Sequence, residues 1–202
     1  MKSFFLTIAG TIAILLVLFV GAFAWLGGFG NFEVIEKELG PFYLVYQEHR
    51  GDYAKVGRII PEVKKELDTR KIGSERYFGL YRDDPRAVKK DDLRSLAGCS
   101  VNAADYESLK GLASPYMSRR VEKKKYAVVE FPFKNQMSML MGLSRVYPAL
   151  ETYFSRHGYI RNEVIEFYDN PEKIKDAKIS YLMPVERNKN SSNQGENHVG
   201  KK

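Results

Sequence analysis

The chain has 202 residues and a formal net charge of +7 at pH 7, and the roughly 170 residues that follow an apolar N-terminal run are enough for one domain with a buried core. The charge is spread through segments of mixed sign without an RNA- or DNA-binding motif, so nucleic-acid binding is not expected. The single cysteine, Cys99, excludes an internal disulfide and a site built from several thiolates, and its apolar surroundings predict an inert buried thiol.

An uninterrupted apolar run extends from Phe4 to Leu26 without a charged residue. About 20 such residues in a helix span the roughly 30 Å of a bilayer core, so the run predicts a membrane anchor whose partner is the lipid bilayer. The small-x-small sequence at 22–24 would also suit a cleavable signal peptide. We favour the anchor because the run is longer than a usual signal-peptide core and because Trp25 suits a membrane interface. Residues 1–30 are then an anchor with a short stalk.

The charges on the two sides of this run predict its orientation. Lys2 precedes the run, whereas Glu33 and Glu36 are among the first charges after it. Positive residues stay on the cytoplasmic side, so the domain is expected outside the cytoplasm, as in a single-pass protein of a bacterial inner membrane.

A strand-helix-strand-strand pattern occurs twice in the rest of the chain. Alternating residues predict strands, and apolar residues at three- and four-residue spacing predict helices. The first round has a strand at 42–50, a helix from Tyr53 to near Gly73, and strands at 76–82 and 93–101. The second round has a strand at 125–133, a helix from about Met137 that closes at His157 and Gly158, and strands at 162–168 and 178–185.

Matching turns support an internal duplication. The sequence LYRDDP occurs at 80–85 and EFYDNP at 166–171, each at the same place in its round. The predicted fold class is α+β, with two β-α-β-β units that form a curved antiparallel sheet with two main helices and a groove. The domain covers 31–186 and includes a surface linker at 102–123 with one short helix. A disordered polar tail at 187–202 follows it.

The stretch HGYIRNEVIEFYDNPEKIKDAKISYLMPV, at 157–185, resembles the most specific motif of the GyrI-like family of effector-binding domains, and the resemblance covers roughly 41–185. A closer resemblance, through YQEHRGDYAKVGR at 46–58 and RVYPALETY at 145–153, is to the membrane-anchored branch that includes testis-expressed protein 264, an autophagy receptor. That receptor uses an aromatic motif in its C-terminal region, whereas the tail of this chain has no aromatic residue. The autophagy role is therefore not carried over, and the protein partner stays unknown.

Glu166 is the sharpest candidate for a ligand-binding residue. By the two-residue repeat of a strand, Glu166 and Tyr168 share one face, and Ile165 and Phe167 share the other, which we expect to pack on the helix. The family resemblance implies that Glu166 faces the groove and neutralises cationic aromatic ligands. The alternative is an exposed strand glutamate that is paired with a lysine such as Lys178.

Aromatic content of 13% makes tyrosines plausible walls of such a groove, although core or rim positions would also suit them. The predicted wall residues are Tyr46, Tyr81, Tyr168 and Tyr181. No metal site and no cofactor are predicted, because His49 and His157 have no second ligand nearby in the sequence.

Three functional classes follow from these residues. The favoured class is a membrane-anchored binding module for a small lipophilic or cationic molecule or a partner segment. The second is a GyrI-like hydrolase that acts on strained electrophiles, with Glu166 as its catalytic residue if burial raises the glutamate pKa. The third is a haem-binding protein of the SOUL type, which uses a similar duplicated unit.

Overall fold

The N-terminal run forms one helix that is apolar on all sides. The computed structural model describes residues 2–26, 28–29, 32–109, 111–169, 174 and 176–187. Helix α1 (Lys2–Trp25) contains a segment, Phe4–Trp25, with a mean hydropathy of 2.6, and none of it is buried against the rest of the protein. It is long and apolar enough to cross a membrane. The predicted stalk lies only partly, and the tail after residue 187 not at all, within the described residues.

Within the described residues, eight strands and three further α-helices follow α1. The strands are β1 (Ile35–Leu39), β2 (Phe42–Arg50), β3 (Arg76–Tyr81), β4 (Arg94–Val101), β5 (Met117–Val121), β6 (Lys124–Pro132), β7 (Val164–Tyr168) and β8 (Lys178–Pro184). The helices are α2 (Ile59–Thr69), α3 (Ala103–Glu107) and α4 (Gln136–His157), and a 3-10 turn, Tyr53–Arg58, leads into α2.

The strands form a single antiparallel sheet in the order β1-β6-β8-β7-β3-β4-β2-β5. Each predicted unit contributes three adjacent strands with its third strand in the middle, so the two units meet at the β3–β7 pair. This arrangement confirms the predicted α+β fold of duplicated β-α-β-β units. Strands β1 and β5 were not predicted; they extend the two ends of the sheet, and β5 lies inside the segment that was expected to be a surface linker.

The sheet is strongly curled. In a flat sheet, β2 and β7 would lie about 14 Å apart, because three strand spacings of about 4.8 Å separate them. Instead, the rings of Phe42 on β2 and Phe167 on β7 are 4.9 Å apart, and Phe42 also lies 6.1 Å from Tyr126 on β6. The sheet is therefore a half-barrel whose concave interior is filled by one apolar cluster.

Both main helices cover the convex face. Apolar residues of α2 pack with Val45, Ala97 and Cys99, while those of α4 pack with the strands of the second unit. Ile165 and Phe167 lie instead in the concave cluster, on the face that neither helix covers. The expectation that these two residues pack on the helix was therefore wrong, and α4 lies on the Glu166 face.

Local signals fix where α4 begins and ends. The Asn135 side chain accepts a hydrogen bond from the Ser138 backbone N–H at 3.0 Å, and the Ser138 hydroxyl in turn accepts one from the Asn135 backbone N–H at 3.0 Å. Gly158 ends the helix in the left-handed conformation, with φ of 66°. These caps fix the position of α4 over the second unit.

Candidate ligand-binding site

A pocket of about 1420 Å³ lies on the convex face, between the 3-10 turn before α2 and the helix α4, above the β3–β7 seam. We call it the inter-helix pocket. Its apolar and aromatic lining includes Tyr53, Val56, Ile60, Tyr77, Tyr81, Phe133, Met139, Leu140, Leu143, Tyr147 and Tyr168. Glu166 is also part of the lining. An apolar cavity with a few convergent polar groups is the usual form of a small-molecule site.

The Glu166 carboxylate is held by two tyrosine hydroxyls. Tyr147 of α4 donates a hydrogen bond to Oε1 at 2.6 Å, and Tyr168 of β7 donates one to Oε2 at 2.5 Å. The side chain is only 1% exposed, and among the described residues no lysine or arginine is paired with it. Glu166 is thus a buried acid with partial hydrogen bonding and no counter-charge.

Burial raises the pKa of Glu166 to about 7, and the hydrogen bonds from Tyr147 and Tyr168 oppose that rise. Desolvation penalises the charged form of the acid, whereas hydroxyl donors stabilise it. The phenols respond in the same environment: burial and the neighbouring carboxylate raise the pKa of Tyr147 and of Tyr168 well above the ordinary tyrosine value. These tyrosines therefore stay protonated and act as donors near neutral pH.

Two residues of the first unit, Tyr81 and Gly79, lie beside Glu166 and Tyr168. Tyr81 of β3 lies with its hydroxyl 3.3 Å from the Tyr168 hydroxyl, and its ring packs against Tyr53 at 4.9 Å. Gly79 lies directly opposite Glu166 in the β3–β7 register, and a Cβ there would come within 2.7 Å of the Tyr81 hydroxyl oxygen. The glycine leaves the space that Tyr81 occupies when it folds back toward the carboxylate.

Tyr181 lies beside the cluster but beneath α4. It is fully buried, and its ring meets that of Tyr147 edge-on at 5.9 Å. Gly142 of α4 lets the helix approach, since a Cβ there would lie 2.7 Å from the Tyr181 hydroxyl oxygen. That hydroxyl has no hydrogen-bond partner among the described residues. Tyr181 supports the floor under Tyr147 rather than forming part of the cavity lining.

The structure separates Tyr46 from the other predicted residues. Tyr46 belongs to the concave cluster, so the sheet lies between it and Glu166. The alternative of an exposed Glu166 paired with Lys178 also differs from the observed geometry, because Lys178 bonds Glu130 at 2.8 Å. Of the five predicted residues, the structure brings Glu166, Tyr168 and Tyr81 together, adds Tyr181 as a neighbour and leaves Tyr46 out.

Sequence reasoning missed Tyr147, the second donor to Glu166. Its position in the apolar stripe of the predicted helix indicated only that it faces the sheet. A signal does exist in the repeat: Arg145, Tyr147 and Pro148 follow Arg58, Ile60 and Pro61 at the separation of 87 residues that also relates Tyr81 to Tyr168. Aligning the two halves in this way pairs Tyr147 with Ile60 and Tyr168 with Tyr81, and both pairs line the inter-helix pocket.

Charged side chains form one rim of the pocket. Glu151 of α4 bonds Arg86 at 2.5 Å and Arg161 at 3.1 Å, and Asp84 bonds the same two arginines. This network joins the loop after β3 to α4. Within the described part of the chain, no group of three or more histidine, cysteine, aspartate or glutamate residues is arranged to hold a metal ion.

Comparison with known proteins finds one matching protein family. The family described as the GyrI-like small molecule binding domain matches residues 32–186. No curated protein matches the sequence.

Several solved structures are similar in fold, including the following three. The structure of an EcmrR–DNA complex is similar with a TM-score of 0.61 and 14% identity over 91% of this chain and 70% of that one. The EcmrR C-terminal domain is similar with a TM-score of 0.59 and 17% identity, over 78% and 99%. SAV2435 bound to tetraphenylphosphonium is similar with a TM-score of 0.51 and 14% identity, over 76% and 94%.

Proposed function

The chain belongs to the GyrI-like family of small-molecule binding domains, and from that premise we propose that it is a membrane-anchored receptor for a small lipophilic cation. The observation that carries the proposal is the Glu166 carboxylate, buried at the inter-helix pocket among aromatic rings without a counter-charge among the described residues. A ligand of positive charge would supply that counter-charge.

The chemistry of the pocket fits such a ligand in two ways. The faces of Tyr53, Tyr81 and Phe133 offer stacking and cation-π attraction, which are stronger where water is excluded. The carboxylate offers charge, and a bound cation would favour its ionised form over the protonated form. Tetraphenylphosphonium, the ligand of the similar SAV2435 structure, combines aromatic surface and positive charge and is a suitable probe.

The membrane part of the proposal rests on α1. Its apolar segment is of spanning length, and Trp25 lies at the end that leads into the domain. The charge distribution around it favours a cytoplasmic N-terminus and a domain outside the cytoplasm, at a bacterial inner membrane.

The test is a titration of the full-length chain, in detergent at pH 8, with tetraphenylphosphonium. We expect saturable binding that Glu166→Gln weakens at least about tenfold, since a hydrogen-bonded or paired charge contributes roughly 1.5–3 kcal/mol. The matched control is Glu130→Gln, which removes one negative charge from β6 at a residue that already has Lys178 as its partner. Absence of saturable binding, or equal affinity in the wild type and Glu166→Gln, would refute the receptor proposal.

One observation favours a second candidate, a hydrolase. The pKa of Glu166, raised by burial to about 7, lies in the range of a general acid or base, and Tyr147 is within hydrogen-bond distance of it. Such an enzyme would turn over a strained electrophile and lose turnover in Glu166→Gln, whereas a receptor would bind it stoichiometrically. The haem alternative gains no support here, because no histidine or cysteine occurs among the described lining residues.

A further inference from the structure

The first half of α4 carries no charge and exposes two apolar side chains, Met137 and Leu140, to the outside. From Gln136 to Ser144 the helix contains three methionines and two leucines but no charged residue. Met137 is 58% exposed and Leu140 is 53% exposed, and with Ser144 they lie on one side of the helix. Met137 and Leu140 lie one turn apart, so together they form a small apolar patch on this side of α4. We call Met137, Leu140 and their neighbours in Gln136–Ser144 the α4 face.

The α4 face lies next to the end of α1. Lys134, two residues before α4, donates a hydrogen bond from Nζ to the Trp25 carbonyl oxygen at 2.6 Å. The same ammonium group lies 4.7 Å from the centre of the Trp25 ring. A tryptophan at the end of a spanning helix sits at the level of the lipid headgroups. The start of α4 therefore lies within the length of the Lys134 side chain of the expected headgroup layer.

We propose that the α4 face rests in the interfacial layer of the membrane that α1 spans, so that the inter-helix pocket opens at the bilayer surface. The inference depends on the membrane anchor of the proposed function. Met137 and Leu140 would enter the boundary between headgroups and acyl chains, and Lys134 would remain among the headgroup phosphates.

The distribution of residues along α4 favours a lipid surface as the occupant. The exposed residues farther along the helix, such as Thr152, Ser155 and Arg156, are polar or charged, so the apolar face ends with the half that adjoins Trp25. A membrane plane at the level of Trp25 predicts this boundary, because the lipid headgroup layer would reach only the part of α4 that lies next to Trp25. The flexible side chains of methionine also adapt to a fluid surface.

This placement specifies how the ligand arrives. Leu140 belongs both to the exposed α4 face and to the lining of the inter-helix pocket. A lipophilic cation that concentrates in the interfacial layer could pass along Leu140 toward Glu166 without entering bulk water. The ligand class is then a membrane-partitioned amphiphile rather than a freely soluble cation.

The test uses the full-length chain in lipid nanodiscs, with a fluorescent probe on one introduced cysteine at a time. The variants are Met137→Cys, Leu140→Cys and, as matched control on the same helix, Ser155→Cys, about 27 Å from residue 137 along the axis. Native Cys99 is fully buried, and burial raises the pKa of its thiol to about 12, so it stays unlabelled. Quenching is measured with brominated lipids and, separately, with aqueous iodide.

We expect brominated lipids to quench the probes at 137 and 140 at least about twofold more than the probe at 155, and iodide to show the reverse order. Iodide quenching of all three probes would overturn the inference, and so would protection of 137 and 140 from both quenchers, which would indicate a protein partner or a second copy. Tetraphenylphosphonium binding is measured separately, with the unlabelled wild-type chain in nanodiscs of the same composition, because Leu140 lines the pocket. Lipid quenching without tetraphenylphosphonium binding would support the membrane contact and refute the receptor proposal. Tetraphenylphosphonium binding without lipid quenching would support the receptor proposal and refute the membrane contact.

Discussion

Burial of Glu166 predicts that this residue destabilises the folded protein at alkaline pH. Its pKa rises from an ordinary value of 4.5 to about 7 because the carboxyl group is buried. The folded state therefore holds the proton through a pH range in which the unfolded chain has released it. By linkage, stability from this group is greatest below pH 4.5 and falls as the pH rises toward 7.

The magnitude follows from the two pKa values. Relative to acid pH, where the group is protonated in both states, the raised pKa lowers the free energy of unfolding by about 3 kcal/mol at pH 8. At pH 5 the loss is about 1 kcal/mol, because only the unfolded chain has released the proton. Glu166→Gln removes the titration while it keeps the shape of the side chain and one acceptor for a tyrosine hydroxyl. The variant should therefore gain about 2 kcal/mol relative to the wild type when the pH is raised from 5 to 8.

The assay is urea unfolding of the full-length chain in one fixed detergent at pH 5 and pH 8, followed by far-UV circular dichroism. Glu130→Gln is the control, because its hydrogen bond to Lys178 lowers the Glu130 pKa and leaves that group ionised at both pH values. If the difference in free energy of unfolding between Glu166→Gln and the wild type is the same at pH 5 and pH 8, the carboxyl group of Glu166 does not titrate near neutral pH. That result would refute the reasoning from burial.

Three further predictions concern the same cluster. Tetraphenylphosphonium affinity should level off above pH 7 and fall below it, by up to about tenfold per pH unit, until it approaches the affinity of Glu166→Gln, because protonated Glu166 must lose its proton to pair with the cation. Calorimetry should show a flat pH profile in Glu166→Gln. Tyr147→Phe removes the hydrogen-bond donor that lies 2.6 Å from the Glu166 carboxylate and should raise the midpoint of that pH profile by about one pH unit, because the ionised carboxylate loses stabilisation. An unchanged midpoint would show that Tyr147 does not stabilise the ionised form of Glu166. Gly79→Ala should cost about 1–3 kcal/mol in urea unfolding and weaken binding because its Cβ displaces Tyr81, whereas Gly57→Ala, with no atom within 4 Å of its new Cβ, should leave stability nearly unchanged.

Much of the fold could be predicted because its long strands and helices carry clear periodic patterns. Strand β2 was predicted at its observed bounds, and the capped ends of α4 were visible in the sequence. Strands β1 and β5 carry little such signal. Both have only five residues, and neither shows a clean apolar alternation, since β1 exposes Lys37 and Glu38 and β5 exposes Arg120. Strand β5 also pairs through one edge with β2, so its pairing depends on a strand that is distant in sequence.

The site could be predicted only in part, because both faces of the central strands are apolar. All five residues of β7 are buried, so alternation placed Glu166 with Tyr168 but could not say which face α4 covers. The curl of the sheet buries the face of β7 that α4 does not cover, because Ile165 and Phe167 pack in the concave cluster. The contact of Tyr147 with Glu166 depends in addition on the rotation of α4 about its own axis. The spacing of apolar residues predicts which face of the helix is buried but not which single side chain of that face reaches Glu166.

The two halves of the repeat also explain why Glu166 has no second carboxylate opposite it at the β3–β7 seam. A separation of 87 residues relates Tyr81 to Tyr168 and Gly79 to Glu166, and the last two lie directly opposite each other in the β3–β7 pair. Two carboxylates at these positions would lie about 5 Å apart in a buried site, where like charges raise the pKa of one of them strongly. Glycine in the first half avoids that repulsion and opens space for Tyr81. The duplicated frame therefore places one buried carboxylate at the seam because its halves differ where they meet.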